Sequence, residues 1–340
     1  MSLEILKNDI KKGTLQQEYL FYGPEIYLIN YYLKDICDKL VNPNFKGFNY
    51  IVLEGKECIN SIIVNCETLP MMDDKKLIII KDTGLFSSNA KGKNEKQSNN
   101  LQNEIAEYLK NKLPFGVYII FVEQEISKSN ILFKEINRQG LAVEFNYIGV
   151  DELIKWVVKI LSSYNIRIGK NEASHLLSLC NPGMTDILIE VIKLADYIGQ
   201  NGIVKVEDIE EVCIKSLQGK VFEMIDAITQ KNPSKAYKLL HDMLILKEPL
   251  QKISVLVARH FRLMFFIKQM RTKGYLTESI AKHLSIQAFI VNKYIKQCEK
   301  YKEEILGQAI NDCLDMDIKL KAGRIDPRIA LEMLIAKYST

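Results

Sequence analysis

Thr68-Leu69-Pro70-Met71-Met72-Asp73-Asp74-Lys75-Lys76-Leu77-Ile78-Ile79-Ile80 is the stretch on which the fold turns. Residues 77–80 are four consecutive apolar side chains. Such a run suits a strand buried on both faces, which is the habit of parallel sheets covered by helices. Upstream, Ile59, Ile62, Ile63, Cys66 and Leu69 recur at the spacing of one helical face, predicting a helix over 57–69. Pro70 ends it, because its ring removes a backbone donor and disfavours helical geometry at Leu69. Met71 and Met72 fall between helix and strand, beside Pro70 and two acids. Large flexible apolar groups on such a connection are either tucked into the core or offered to a partner. Residue type alone favours the core, where most methionines lie.

The same alternation extends in both directions. Strands are predicted at 19–22, 49–53, 117–122 and 142–145, and helices at 3–15, 26–41, 101–111 and 130–138. The helix at 26–41 is given a buried stripe of Leu28, Tyr31, Tyr32 and Ile36. Strands alternating with helices imply a mostly parallel sheet with helices on both faces. Residues 87–100 are polar and low in complexity, and read as a mobile surface loop. From Val150 the strands are expected to stop. Asp151 can cap a helix to Tyr164 that carries Trp156. Further helices follow at 171–180 and 186–198, separated by Asn181-Pro182-Gly183, and a short one reaches Ile214. Residues 215–340 read as a chain of helices. The one at 250–270 is apolar round most of its middle and belongs inside a bundle. The fold class is therefore α/β plus all-α.

The chain has 340 residues, 47% of them hydrophobic and 26% charged, enough for two or three domains with ordinary cores. A net charge of +4 neither argues for nucleic acid nor excludes a local basic patch. Seven scattered Cys, none in a CxxC pair, read as small core hydrophobes in a reducing compartment. No secretory signal core and no apolar run of about eighteen residues exists, so a cytoplasmic location is expected, with no membrane contact.

Tyr19-Leu20-Phe21-Tyr22-Gly23-Pro24-Glu25-Ile26-Tyr27-Leu28 is strand, glycine turn and helix, the setting of a phosphate loop. A working loop needs GxxxxGK[ST], whose glycines let backbone N–H groups wrap phosphate. Gly23 is present, but Glu25 and Tyr27 occupy the turn, and an acid there repels phosphate. The Gly-Lys pairs at 55, 92, 169 and 219 lack the following Ser or Thr. Strand 77–80 is followed by Lys81-Asp82 rather than a magnesium-holding acidic pair. The four His form no HExxH, and no Cys–His grouping has ligand spacing. No catalytic residue, cofactor site or metal site is expected. His260 reads as a satisfied core or surface residue. Arg259, Arg262, Lys268 and Arg271, and likewise Lys319, Lys321, Arg324 and Arg328, form basic faces that read first as solvated. No aromatic for base stacking is interleaved with the second set.

Taken together, four stretches resemble the delta subunit family of bacterial DNA polymerase III. They are residues 19–28 above, Glu67-Thr-Leu-Pro-Met-Met-Asp-Asp-Lys-Lys-Leu-Ile-Ile79, Gly183-Met-Thr-Asp-Ile-Leu-Ile-Glu-Val-Ile-Lys-Leu194 and Leu320-Lys-Ala-Gly-Arg-Ile-Asp-Pro-Arg-Ile-Ala-Leu331. The resemblance covers essentially the whole chain. It implies an AAA+-like three-domain clamp-loader subunit. Residues 1–147 would form an inactive α/β domain, 148–214 a small helical lid and 215–340 a helical collar for oligomerisation. It implies that Leu69, Pro70, Met71 and Met72 contact and open a sliding clamp for loading on primed DNA. Other implied partners are the ATPase subunits (gamma or tau type), the delta-prime subunit and, through the assembled loader, primed DNA. The family usually places at least one aromatic residue where this chain has Met71 and Met72. Two other functions stay open: a direct nucleic-acid-binding module, and an active ATPase with a highly divergent phosphate loop.

Overall fold

The computed structural model of the chain describes residues 2–87, 95–111, 113–181, 183–213, 215–284, 286 and 288–339, with backbone alone at 95–99 and 289. Pro182, the Gly92-Lys93 pair and residues 88–94 of the loop read at 87–100 lie outside the described residues. The chain divides into two compact units, Met1–Asn146 and Tyr147–Thr340.

The first unit is built on a five-stranded sheet: β1 Glu18–Tyr22, β2 Tyr50–Glu54, β3 Lys76–Lys81, β4 Val117–Glu123 and β5 Leu141–Glu144. The order is β2-β3-β4-β1-β5 and every pairing is parallel. Leu77, Ile78, Ile79 and Ile80 are all fully buried. The pleat divides them. Ile78 and Ile80 pack with Ile62, Cys66, Ile105, Leu109, Leu132 and Ile136 on one face. Leu77 and Ile79 meet Leu6, Ile10, Ile29, Leu33 and Ile36 on the other. That two-sided burial is why the run lacks alternation.

Several local expectations are corrected. The predicted helix over 57–69 is a 3-10 segment, Lys56–Ser61, followed by a short α-helix, Ile62–Glu67. Leu69 lies beyond it and is exposed, because Pro70 forbids another turn. On the helix Ile26–Leu40 the buried line is Ile29, Tyr32, Leu33 and Ile36. Tyr31 is 55% exposed and Leu28 only half-buried. Within the polar stretch 87–100, residues 95–100 are helical rather than loop, since a helix runs Glu95–Lys110 and is anchored at its far end by Ile105, Ala106 and Leu109.

In the second unit, helices Val150–Ser163, Lys170–Leu179, Met184–Ile198 and Val206–Val212 come first. Gly149, not Asp151, is the N-cap of the first; Asp151 sits in the opening turn and pairs with Lys170 at 3.5 Å. Strands do not stop at 150. β6 Arg167–Ile168 and β7 Ile203–Val204 form a two-residue parallel pair. The remaining helices are Leu217–Thr229, Pro233–Ile245, Leu250–Thr272, Thr277–Leu284, Ala288–Cys298, Glu303–Lys321 and Pro327–Ser339. Leu250–Thr272 is the hub. Its Ile253, Val257, Phe261, Met264 and Ile267 are buried in one cluster with Ile225, Leu240, Val291, Ala309 and Leu331. His260 is buried there too, its Nε2 2.7 Å from Gln297 Oε1, and burial pulls its pKa down to about 4.

Candidate functional site

Residues 68–75 join the helix Ile62–Glu67 to the start of β3, at the edge of the sheet where the strands begin. Leu69, Met71 and Met72 are 62%, 51% and 77% exposed, and Pro70 is half-buried. Three apolar side chains thus stand in solvent on one short connection. The connection itself is firmly tied.

Asn49, fully buried just ahead of β2, donates from Nδ2 to Met71 O and accepts from Met71 N, both at 2.8 Å. Lys76, the first residue of β3, is 2% exposed. Its Nζ donates to Asn65 O at 2.7 Å and to Thr68 O at 2.9 Å. These are carbonyls that the end of a short helix leaves without partners, and an ammonium suits the negative end of the helix dipole. Burial nevertheless pulls the Lys76 pKa below its ordinary value. Asp73 accepts from the Asn42 backbone N–H at 3.1 Å and from that of Asp74 at 2.8 Å. Glu67 accepts from the Tyr108 hydroxyl at 2.5 Å. Met72 adopts a φ of +56°, which turns the chain sharply at the tip.

On the far side of the tip, Lys76 N donates to Gly116 O at 2.8 Å. Gly116 has a φ of +81°, and a Cβ there would overlap the Asp74 carbonyl. Glycine is required for the loops before β3 and β4 to lie this close. Phe48 and Phe115, one residue ahead of Asn49 and Gly116, are 58% and 92% exposed.

The turn expected at a phosphate site lies at the opposite edge, where the strands end. Gly23 has a φ of +123°, and a Cβ on it would overlap the Phe145 carbonyl. Gly23 N donates to Glu123 O at 3.3 Å, Glu25 N to Phe145 O at 3.1 Å and Ile26 N to Pro24 O at 3.1 Å. The amides that would wrap a phosphate therefore point at protein carbonyls. Glu25 is 1% exposed and Tyr27 half-buried. Beside them, the Glu123 carboxylate accepts from Thr83 N, Thr83 Oγ1 and Gly84 N at 2.9, 2.5 and 3.0 Å, while burial raises its pKa. In open parallel sheets ligands bind outside the carboxyl ends of the strands. Here protein groups, a carboxylate among them, fill that place.

Among the described residues no group of three His, Cys, Asp or Glu could hold a metal, and no helix is long and apolar enough to cross a membrane. The basic faces are partly spent within the chain. Lys268 donates to Cys298 O, Lys321 to Asp317 and Arg328 to Glu332.

Sequence reasoning named Leu69, Pro70, Met71 and Met72 but missed Asn49, Lys76 and Gly116, which position them. Lys76 had a signal: it directly precedes an apolar run, so the strand's inward pleat includes it. Asn49 had none, because its partner is 22 residues away.

Two family models match the chain: "DNA polymerase III, delta subunit" over residues 19–146, and "DNA polymerase III delta subunit, C-terminal domain" over 218–338. The chain is 26% identical over 328 residues to DNA polymerase III subunit delta of Bacillus subtilis (strain 168), covering 96% of this chain and 94% of that one. It is 24% identical over 325 residues to the probable DNA polymerase III subunit delta of Aquifex aeolicus (strain VF5), covering 94% and 88%. Its fold is similar to the solved structure of the Bacillus subtilis DNA clamp loader delta protein, with a TM-score of 0.65 at 24% identity over 100% of this chain and 99% of that one.

Proposed function

From the premise that this chain belongs to the DNA polymerase III delta subunit family, we propose that it is a clamp-loader subunit whose first unit binds and opens the sliding clamp. The carrying observation is the exposed tip of Leu69, Met71 and Met72, tied down through Asn49 and Lys76. A braced tip loses little conformational freedom on docking, which keeps the entropic cost of association small. Methionine side chains adapt to an irregular pocket. The mechanism needs no bond chemistry. The tip need only bind the open clamp more tightly than the closed one, since differential affinity alone shifts that equilibrium.

The chain does not hydrolyse ATP in this reading. Supporting it, the turn after β1 spends its amides on Glu123 O, Phe145 O and Pro24 O, and buries Glu25 where a phosphate would sit. ATPase subunits of the gamma or tau type supply the nucleotide cycle, and the delta-prime subunit completes the loader. Within the second unit, 148–214 acts as a helical lid and 215–340 as the collar that joins these subunits. Primed DNA is met by the assembled loader, in the cytoplasm.

The test is the double change Met71→Ala, Met72→Ala in the full chain, with affinity for the purified clamp of the same organism as readout. Binding should weaken by about tenfold or more, as for central apolar anchors. Unchanged affinity would sink the assignment of the tip.

A further inference from the structure

We propose that Phe115 is a further clamp-contact residue, presented on a rigid turn beside the tip and adding an aromatic face to Met71 and Met72. The proposal rests on the clamp-binding reading of that tip. Phe115 is 92% exposed, more than any other described large hydrophobic side chain. A lone exposed apolar residue is ordinary on a protein surface. This one is not alone.

Its turn abuts the tip directly. A Cβ built on Gly116 would lie 3.4 Å from Pro70 Cγ and against the Asp74 carbonyl. Lys76 N donates to Gly116 O, and Lys76 pairs in register with Val117. Leu69, Met71, Met72 and Phe115 are therefore carried by adjacent loops at the starting edge of neighbouring strands, continuous with the contact already proposed.

The backbone that carries the ring is also held in place. Val117 N donates to Pro114 O at 3.2 Å, closing a four-residue turn whose third position, Gly116, has the φ of +81° that a type II turn demands. Gln17 Nε2 donates to both Pro114 O and Val117 O at 3.0 Å. A phenylalanine on such a base has only two side-chain torsions to fix on binding. Two methionines have more to lose. The clamp is the committed occupant because the turn is continuous with the tip on which the clamp is proposed to dock.

The experiment measures the affinity of the full chain for the purified clamp by surface plasmon resonance. Phe115→Ala should raise Kd by about tenfold, with Phe115→Leu between it and the native chain and with thermal stability unchanged. Ile26→Ala, an exposed apolar truncation at the opposite edge of the sheet, should leave Kd unaltered. As an independent readout, p-benzoylphenylalanine incorporated at position 115 should form a covalent adduct with the clamp under ultraviolet light. If Met71→Ala, Met72→Ala weakens binding but Phe115→Ala does not and no adduct forms, the Phe115 proposal is wrong and the tip reading stands. If neither set of changes weakens binding, the tip reading falls and takes this proposal with it.

Discussion

Asn49 grips Met71 by its main chain: the amide side chain exchanges two hydrogen bonds of 2.8 Å with Met71 N and O, from a site that is itself fully buried. The pairing mimics one rung of a sheet ladder, made by a side chain instead of a strand. It fixes where the tip stands without touching the methionine side chains.

Asn49→Ala removes both bonds and leaves two backbone groups to find water. We expect a loss of about 2 kcal/mol in urea denaturation, from a buried site with two unmade bonds. Clamp affinity should fall as well, although no contact atom changes. A variant that loses stability yet binds as before would show that the tip needs no such positioning.

Lys76→Met separates stability from positioning. The substitution strips donors from Asn65 O and Thr68 O, which costs stability, and also removes a buried ammonium, which restores some. The two effects oppose, so the net change should stay within about 2 kcal/mol. The tip loses its anchor to the preceding helix, and clamp binding should weaken at least severalfold. Equilibrium unfolding and a binding titration on the same preparation distinguish these outcomes.

Millimolar Mg-ATP should leave the melting temperature of the isolated chain unmoved. A ligand at a hundred times its Kd stabilises the folded state by about 2.7 kcal/mol, a shift that a melting curve resolves easily. Any reproducible upward shift would count for a working nucleotide site and against the filled turn at Gly23 and Glu25.

Two buried titratable groups, one in each unit, should give opposing pH dependences between about pH 4 and 7. Glu18, 5% exposed, has its pKa raised by burial, with Glu135 adding to the effect, to about 7. A raised folded value means its contribution is complete below the unfolded pKa of 4.5 and is lost as pH rises through about 7. Glu18→Gln should therefore be the more stable protein at pH 8, by about 2 kcal/mol, and indistinguishable below pH 4.5. His260 runs the other way. Its folded pKa of about 4 lies below the unfolded 6.5, so its contribution is complete above 6.5 and is lost as pH falls through about 4. Chemical denaturation from pH 4 to 8 measures both.

The alternation of strand and helix was legible because the strands 77–80 and 117–122 are buried on both faces and so read as unbroken apolar runs. The helical second unit was legible through the apolar hub at 250–270. Other features were not, each for a physical reason. β6 and β7 are two residues long, too short to carry a pattern. The helix expected at 101–111 begins earlier, at Glu95, and its opening turns escaped notice because they are polar, whereas Ile105, Ala106 and Leu109 mark the part that packs. Tyr31 looked like core by residue type, but Ile29 and Leu33 hold that face instead. At the site, the exposed side chains are neighbours in sequence and could be named. Asn49 and Gly116, which set their positions, come from other loops and meet them only in three dimensions.

Asn49 holds Met71 by its backbone, Lys76 holds Asn65 and Thr68 by theirs, and Gly116 meets the Asp74 carbonyl. No anchor depends on what side chain stands at 69, 71 or 72. The tip is thus an interchangeable cartridge in a fixed mount. A lineage can rewrite positions 69 and 71, and position 72 among residues that tolerate its positive φ, to follow drift in its partner's pocket without refolding the loop, and a designer can graft foreign residues there for the same reason.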